Sequence, residues 1–324
     1  MIDWSRALAT AATLLVGAAS AAAQTFPERP ITIVVPASPG GVTDLLGRAL
    51  ARRFAQDLGQ QAIVENKPGA NNQIAAEYVA KAAPDGYTLF VGPESTFVVN
   101  PYLYAKLPYD PVKDFTPITG LVSIHHALIV NPALPVNSTQ ELLALAGQKP
   151  GELNYGTYGI GSSGHLNMEL LQIRAGVRLT PVHYKGAAPA LTDVMAGHIQ
   201  LMFISVGSAM PQWKAGKVRM LAIGAPNRLP GLPDLPTVAE GGVPGFEAVS
   251  WFALYGPAGM PAEIVAKINR EVRTAFADAE FERTFLAPQY FESFAGSPAA
   301  LTDKIRSEAK TWSKLIRDAN IKVE

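Results

Sequence analysis

The chain has 324 residues, 48% of them hydrophobic, with 27 basic and 27 acidic side chains and no cysteine. That length asks for one large or two medium domains, and the hydrophobic content excludes a disordered chain. Balanced charge leaves no global basic field for nucleic acid or an anionic membrane, and the missing cysteine excludes disulfides, thiolate metal sites and a cysteine nucleophile.

Arg6 is followed by an alanine-rich apolar run from Ala7 to Ala19, then by Ser20-Ala21-Ala22-Ala23-Gln24. Residues 1–23 read as a signal peptide cleaved after Ala23, where Ala21 and Ala23 give a small-x-small site. The run is short for a bilayer span, and no later segment is apolar for long enough. The mature protein is expected to be soluble and exported to a bacterial periplasm.

Ile31–Val35 is β-branched and predicts a buried strand. It breaks at Pro36 and at Pro39-Gly40-Gly41, and a helix is predicted from Thr43 to Leu58. A strand, a glycine turn and a helix start present free N–H groups and the positive end of the helix dipole to an anion. Asp44, in the first turn of this helix, reads as an acid that orders the loop rather than as a direct ligand contact. Gln61–Glu65 predicts a second strand, Gln73–Lys81 a helix and Thr88–Val91 a third strand, an alternation that signals a parallel sheet with crossovers. Asn100 to Thr119 is proline-rich and reads as loop, and His125-His126 precede a strand at Ala127–Val130. Adjacent histidines on a strand point to opposite faces and do not easily chelate one metal, so no metal and no cofactor are expected.

Asn154–Tyr158 leads into a second glycine turn, Gly159-Ile160-Gly161-Ser162-Ser163-Gly164-His165, and a helix from Leu166 to Ala175. The G-x-G-x-x-G spacing matches a dinucleotide fingerprint, but the next strand, Thr180–Tyr184, ends in Lys185 and not in an acid. Ser163 beside His165 raises a serine hydrolase, yet the elbow G-x-S-x-G is not met. Helices are predicted at Ala190–Ala196, Ser208–Lys214, Pro261–Ala277 and Pro298–Ala319, and strands at Gln200–Ile204, Met220–Ile223 and Ser250–Tyr255. Two strand-turn-helix sites thus stand in two α/β blocks, and blocks that face each other make a cleft for a small anion.

An ordered set of motifs carries a resemblance. It includes Phe26-Pro27-Glu28-Arg29-Pro30-Ile31, Pro39-Gly40-Gly41-x-x-Asp44, Val64-Glu65-Asn66-Lys67-Pro68-Gly69-Ala70 and Ala83-Pro84-Asp85-Gly86-Tyr87. It continues with Gly159-x-Gly161-Ser162-x-x-His165-Leu166, Tyr184-Lys185-Gly186-x-x-Pro189-Ala190-Leu191 and Leu232-Pro233-Asp234-Leu235-Pro236-Thr237-Val238. In this set the chain resembles the substrate-binding receptors of tripartite tricarboxylate transporters, the TctC-like or Bug family, over essentially the whole mature length.

The resemblance implies a two-lobed α/β periplasmic binding protein, each lobe a mainly parallel sheet flanked by helices. Residues 24–123 with 249–324 would form lobe 1, and residues 124–248 lobe 2. It implies a monomeric, non-catalytic receptor that captures a small carboxylate, a di- or tricarboxylate or an aromatic acid, and passes it to membrane permease subunits. A sensor that presents its ligand-bound form to a signalling partner is the alternative. Carried onto this sequence, the ligand contacts are Pro39, Gly40, Gly41, Val42, Thr43, Asp44, Glu94, Ser95 and Thr96 in lobe 1. In lobe 2 they are Ser162, Ser163, His165, Lys185, Gly186, Ala187 and Ser205. Departures from the family pattern fall at Ser38, Asn71-Asn72 and Ile124-His125-His126. His125, His126 and Tyr158 are the candidates for ligand choice, and the aromatic residues Phe97, Tyr158 and Trp251 suit either a ligand ring or the core equally.

Overall fold

A computed structural model describes residues 26–318 and Ile321. The expected signal peptide and its cleavage site lie outside the described residues. No helix among the described residues is long and apolar enough to cross a membrane.

Ile31, Ile33, Val34 and Val35 have no solvent exposure. The strand they form, β1 (Ile31–Val35), is covered on both faces, which is why its sequence runs apolar rather than alternating. Next come α1 (Val42–Asp57), β2 (Ala62–Asn66), α2 (Gln73–Ala80), β3 (Thr88–Pro93) and β4 (Phe115–Val130). Then follow α3 (Thr139–Gln148), β5 (Asn154–Thr157), α4 (Ser163–Ala175), β6 (Thr180–His183) and α5 (Ala187–Ala196). The chain continues through β7 (Leu201–Ser205), α6 (Val206–Lys214), β8 (Arg219–Ile223), β9 (Val249–Pro257), α7 (Ala262–Phe276), β10 (Phe291–Ser293) and α8 (Pro298–Asp318).

The strands run in the order β2-β1-β3-β9-β4-β7-β5-β6, with β8 and β10 also paired to β4. The outer strands are parallel, β1 with β2 and β3, and β5 with β6 and β7. Every pairing of β4 is antiparallel, as is that of β3 with β9, so the sheet is mixed rather than mainly parallel. Helices cover both faces. Ile33 and Val35 pack on Leu46, Leu50, Val265 and Ile268, whereas Val34 faces Ala76, Phe90, Trp251 and Leu301. In the other block Leu128 and Val130 pack on Leu142 and Leu171, and Ala127 and Ile129 on Val194 and Ala209.

Strand β4 organises the molecule. From Phe115 to His125 it pairs with β9, and from His126 to Val130 it pairs with β7. One continuous strand therefore leaves one hydrogen-bonded block and enters another between the two histidines. The sequence hides its start, because the proline-rich stretch that ends at Thr119, with Pro117, reads as loop. The register slips between Pro117 and Thr119, a bulge where a residue without an N–H is tolerated. At Gly120 a Cβ would lie 2.2 Å from the Phe294 ring, so the position is glycine for packing and not for a turn. The crossing is tied by three backbone bonds: His126 N–H to Ala248 O (3.0 Å), Gly224 N–H to His126 O (2.7 Å) and Ala248 N–H to Gly224 O (2.7 Å). A Cβ on Gly207 of α6 would lie 2.7 Å from Gln289 O, which marks another close contact between the blocks.

Ile124 and Leu128 belong to the apolar cores of different blocks. Each change to Ala is expected to cost about 2–5 kcal/mol. Because β4 is one strand in both sheets, both variants should lower the midpoint of a single shared urea transition followed by circular dichroism. Two separable transitions, each sensitive to one variant, would show that the blocks unfold independently.

Candidate functional site

In an α/β fold the loops after the parallel strands share one edge of the sheet. Here β1 and β3 lead into the turns at residues 36–41 and 94–99, and β5, β6 and β7 into those at 158–162, 184–186 and 205. Ser205 pairs with His126, Val249 with His125, and Pro93 with Phe252. Both groups of turns therefore converge on the place where β4 changes partners.

The first turn is shaped by Asp44. Its Oδ2 accepts from Gly40 N–H (2.9 Å) and Arg48 Nε (2.9 Å), and its Oδ1 accepts from Asn66 Nδ2 (2.9 Å). Asn66 Nδ2 also donates to Ala37 O at 2.8 Å, so the loops after β1 and β2 are fastened together. Burial pushes the Asp44 carboxyl up, but the bonds from Arg48, Gly40 and Asn66 outweigh it and hold it below the usual carboxylate range. Asp44 is thus the loop-ordering acid, with both its oxygens engaged. The helix it begins has no side-chain cap, since its N-cap is Gly41. Thr43, in the first turn, is 4% exposed, and its hydroxyl has no hydrogen-bond partner among the described residues. Gly40 is left-handed (φ +87°), whereas Gly41 (φ −75°) is in a conformation any residue adopts.

Glu94, Ser95 and Thr96 are all buried at the start of a wide helical turn after β3. Glu94 Oε2 accepts the Trp251 backbone N–H at 3.2 Å, and Trp251 Nε1 donates to Glu308 Oε2 at 2.6 Å. Burial and the neighbouring Glu308 push the Glu94 carboxyl up to about 7. Ser95 Oγ accepts from Asn72 Nδ2 (3.1 Å), and the Thr96 hydroxyl is buried without a partner among the described residues. The preceding turn has three non-glycine residues at positive φ, Ala70, Asn71 and Asn72. It is pinned by Asn71 Nδ2 to Asn100 Oδ1 and by Asn100 Nδ2 to Asn71 O, both 2.8 Å.

In the facing block, Ser162 caps α4. Its Oγ accepts from His165 N–H (3.4 Å) and donates to Gly159 O (2.7 Å). His165 Nδ1 accepts from Gly161 N–H (3.1 Å), and its ring lies buried beside Tyr155 and edge-on to His183. Burial lowers its pKa to about 4, so it is neutral at physiological pH. Ser162 and His165 thus build the turn, and no hydrogen bond joins Ser163 to His165 as a nucleophile–base pair would require. Gly186 and Ser205 precede α5 and α6 without capping them by a side chain, Lys185 is exposed, and Ser205 Oγ donates to Ser208 Oγ at 2.8 Å.

The two histidines diverge as their strand positions require. His126 Nε2 lies 2.8 Å from Ser250 Oγ, and its Nδ1 lies 3.2 Å from Tyr158 OH. Burial and the adjacent His125 lower its pKa to about 3, so it is a neutral link. His125 Nε2 is 3.0 Å from Glu292 Oε2 but out of hydrogen-bond alignment. The Tyr158 hydroxyl lies beside Ser163 and Gly164, so a polar chain runs from the start of α4 through His126 of the crossing strand to Ser250 on β9. At the outer rim, a Cβ on Gly161 would lie 2.2 Å from Leu103 and 3.4 Å from Asn71 Nδ2, and Leu166 is buried in an apolar cluster of the opposite block. Phe97 stacks on Tyr255 at 3.9 Å and Trp251 has no exposure, so both are core rather than ring receptors. Residue-by-residue reading missed Asn66, Leu103, Leu166 and Ser250. Asn66 and Leu166 stood inside quoted motifs, and the departure at Asn71-Asn72 did mark a loop that reaches the opposite block.

The tripartite tricarboxylate transporter family receptors, TctC, match residues 46–321. The chain belongs to this family. It is 37% identical over 319 residues to a UPF0065 protein of Bordetella bronchiseptica, covering 98% of this chain and 94% of that one. Among solved structures it is similar to R. palustris Rpa4515 with adipate, at TM-score 0.87 and 37% identity over 92% of this chain and all of that one. MatC of Rhodopseudomonas palustris with bound malate follows at TM-score 0.80 and 33% identity, over 90% of this chain and all of that one. The family is one of periplasmic solute-binding receptors rather than enzymes.

Removing Asp44 leaves the Gly40 N–H and the Asn66 amide without their acceptor, so Asp44→Ala should lose about 1–3 kcal/mol of stability in urea titration. In the parent protein the Asp44 contribution is present above the ordinary Asp range and is lost as pH falls through its lowered pKa. Glu94 has the opposite sign. Its raised pKa means that stability falls as pH rises from about 4.5 to about 7, and Glu94→Gln should flatten that slope in Tm measured against pH.

Proposed function

We propose that the protein captures a small carboxylate between its two blocks and hands it to the permease subunits of a tripartite tricarboxylate-type transporter. The observation that carries this reading is the start of α1: an uncapped helix N-terminus beside a buried, unpartnered Thr43 hydroxyl, at the edge facing the second glycine turn. Free N–H groups, the helix dipole and a dry hydroxyl together favour an oxyanion. The two further helix starts without side-chain caps, at Gly186 and Ser205, belong to the opposite block. The relatives solved with adipate and malate carry dicarboxylates, which supports the same ligand class here.

In this reading the turns at Pro39–Thr43, Glu94–Thr96, Ser162–Ser163, Lys185–Ala187 and Ser205 line the cleft. Asp44 and His165 act behind them, through the loop geometry they hold. The lobes are residues 24–123 with 249–324, and 124–248, and the hinge is the crossing of β4. Residues 1–23 direct export and are removed by cleavage after Ala23.

Thermal-shift titration of the mature protein against mono-, di- and tricarboxylates and their amides tests the proposal. An acid that stabilises is expected to outdo its amide, and equal shifts from both would show that the pocket does not read charge. Gly41→Val should stay folded, because its φ is ordinary and the nearest atom to a new Cβ is Ala37 Cβ at 3.3 Å. It should nonetheless lose at least about tenfold in affinity by covering the helix start, roughly 1.4 kcal/mol or more. Retained affinity would make the turn purely structural.

A further inference from the structure

The two flanks of β4 are joined in different ways. On one flank β8 and β9 meet it, and the bonds among His126, Gly224 and Ala248 carry the backbone across the crossing. On the other flank β10 pairs with Val122–Ile124 and β7 with His126–Val130, and no ladder joins β10 to β7 among the described residues. Residues 287–291 bridge this second flank. Leu286 and Phe291 are buried in the core of the first block. Tyr290, between them, packs instead on the cluster of Ala127, Ile129, Ala209 and Met210 in the facing block.

Local preference is given up at three positions around this one contact. Tyr290 is left-handed (φ +55°) at the end of a short helical turn, a place that favours glycine. A residue with a side chain persists there where its surroundings hold it. Gly207 lies inside α6, where alanine is the better helix former, and it is not left-handed. A Cβ on it would meet Gln289 O at 2.7 Å. Gly231 is not left-handed either, and a Cβ on it would lie 3.2 Å from the Tyr290 ring. A strained tyrosine and two bare positions opposite its segment serve the same contact, which a surface turn without a task does not require. We propose that residues 287–291 form a second tether between the blocks, and that Tyr290 is the pin that limits how far they part. Parting of the blocks about β4 has to carry Gln289 across Gly207 and the Tyr290 ring across Gly231, so the close contact on this flank bounds the movement. The tether itself does not depend on a ligand. Its use in capture rests on the carboxylate reading given above, to which it adds a limit on opening.

The cysteine-free chain allows a direct test. Lys81→Cys and Lys149→Cys put one spin label on an exposed site of each block. Pulsed electron paramagnetic resonance on the mature, ligand-free protein then reads the distribution of distances between them. Tyr290→Gly removes the ring while relieving the backbone, so the variant should fold, and its distribution should widen at least about twofold. Tyr290→Phe keeps the ring and should keep the parent width. Gly207→Ala lifts the segment from the α6 side, in a helix that alanine favours, and should widen or displace the distribution without any change at Tyr290. Calorimetric titration with adipate and malate reads the consequence for capture. Tyr290→Gly should weaken the binding of whichever probe the parent takes by about tenfold, as when the aligned arrangement falls to about a tenth of the population. A distribution unchanged by both Tyr290→Gly and Gly207→Ala overturns the tether and leaves the carboxylate reading standing. A widened distribution in Tyr290→Gly, with neither probe bound by the parent, supports the tether and counts against the carboxylate reading alone.

Discussion

Everything in this molecule depends on one strand serving two sheets. β4 pairs with β9 up to His125 and with β7 from His126 onward, and the backbone bonds among His126, Gly224 and Ala248 fix where the exchange occurs. Because ladder bonds are obligatory for a buried strand, the two blocks cannot slide along β4. The same constraint places the turns. The parallel strands of each block end at the crossing, so the loops that carry free N–H groups are brought face to face by topology before any ligand arrives.

The polar groups at the crossing divide into those that hold the shape and those left open. Asp44, Asn66, Ser162, His165 and Asn100 spend their hydrogen bonds on loops and helix starts. The Thr43 and Thr96 hydroxyls are buried with no such use. A buried polar atom without a partner costs on the order of 1–3 kcal/mol, and a binding site is a natural place to carry that cost. His126 and Tyr158 are intermediate. They tie the facing block to Ser250 on β9 in a neutral chain.

Much of this was legible in the chain itself. The apolar run Ile31–Val35, the two glycine turns and the spacing of the helices gave the α/β blocks, because period and turn chemistry are local properties. The loop-ordering role of Asp44 followed from its place in a first helical turn. What stayed hidden is non-local. The start of β4 looked like loop, since Pro117, which the strand accommodates at a bulge, carries the signal of a turn. His165 read as a first-turn residue that caps or lines the pocket, and nothing in the sequence tells that its ring turns inward onto Tyr155. Phe97 and Trp251 suited a ligand ring or the core equally, and only the cross-strand packing decides for the core.

The meeting of Gly161 with Leu103, and the burial of Leu166 in the opposite block, has a further meaning for traffic through the cleft. At that point backbone and a leucine side chain touch, so under the proposed capture a guest enters and leaves only when this contact is open. In that reading Leu103 and Leu166 act on release rather than on recognition.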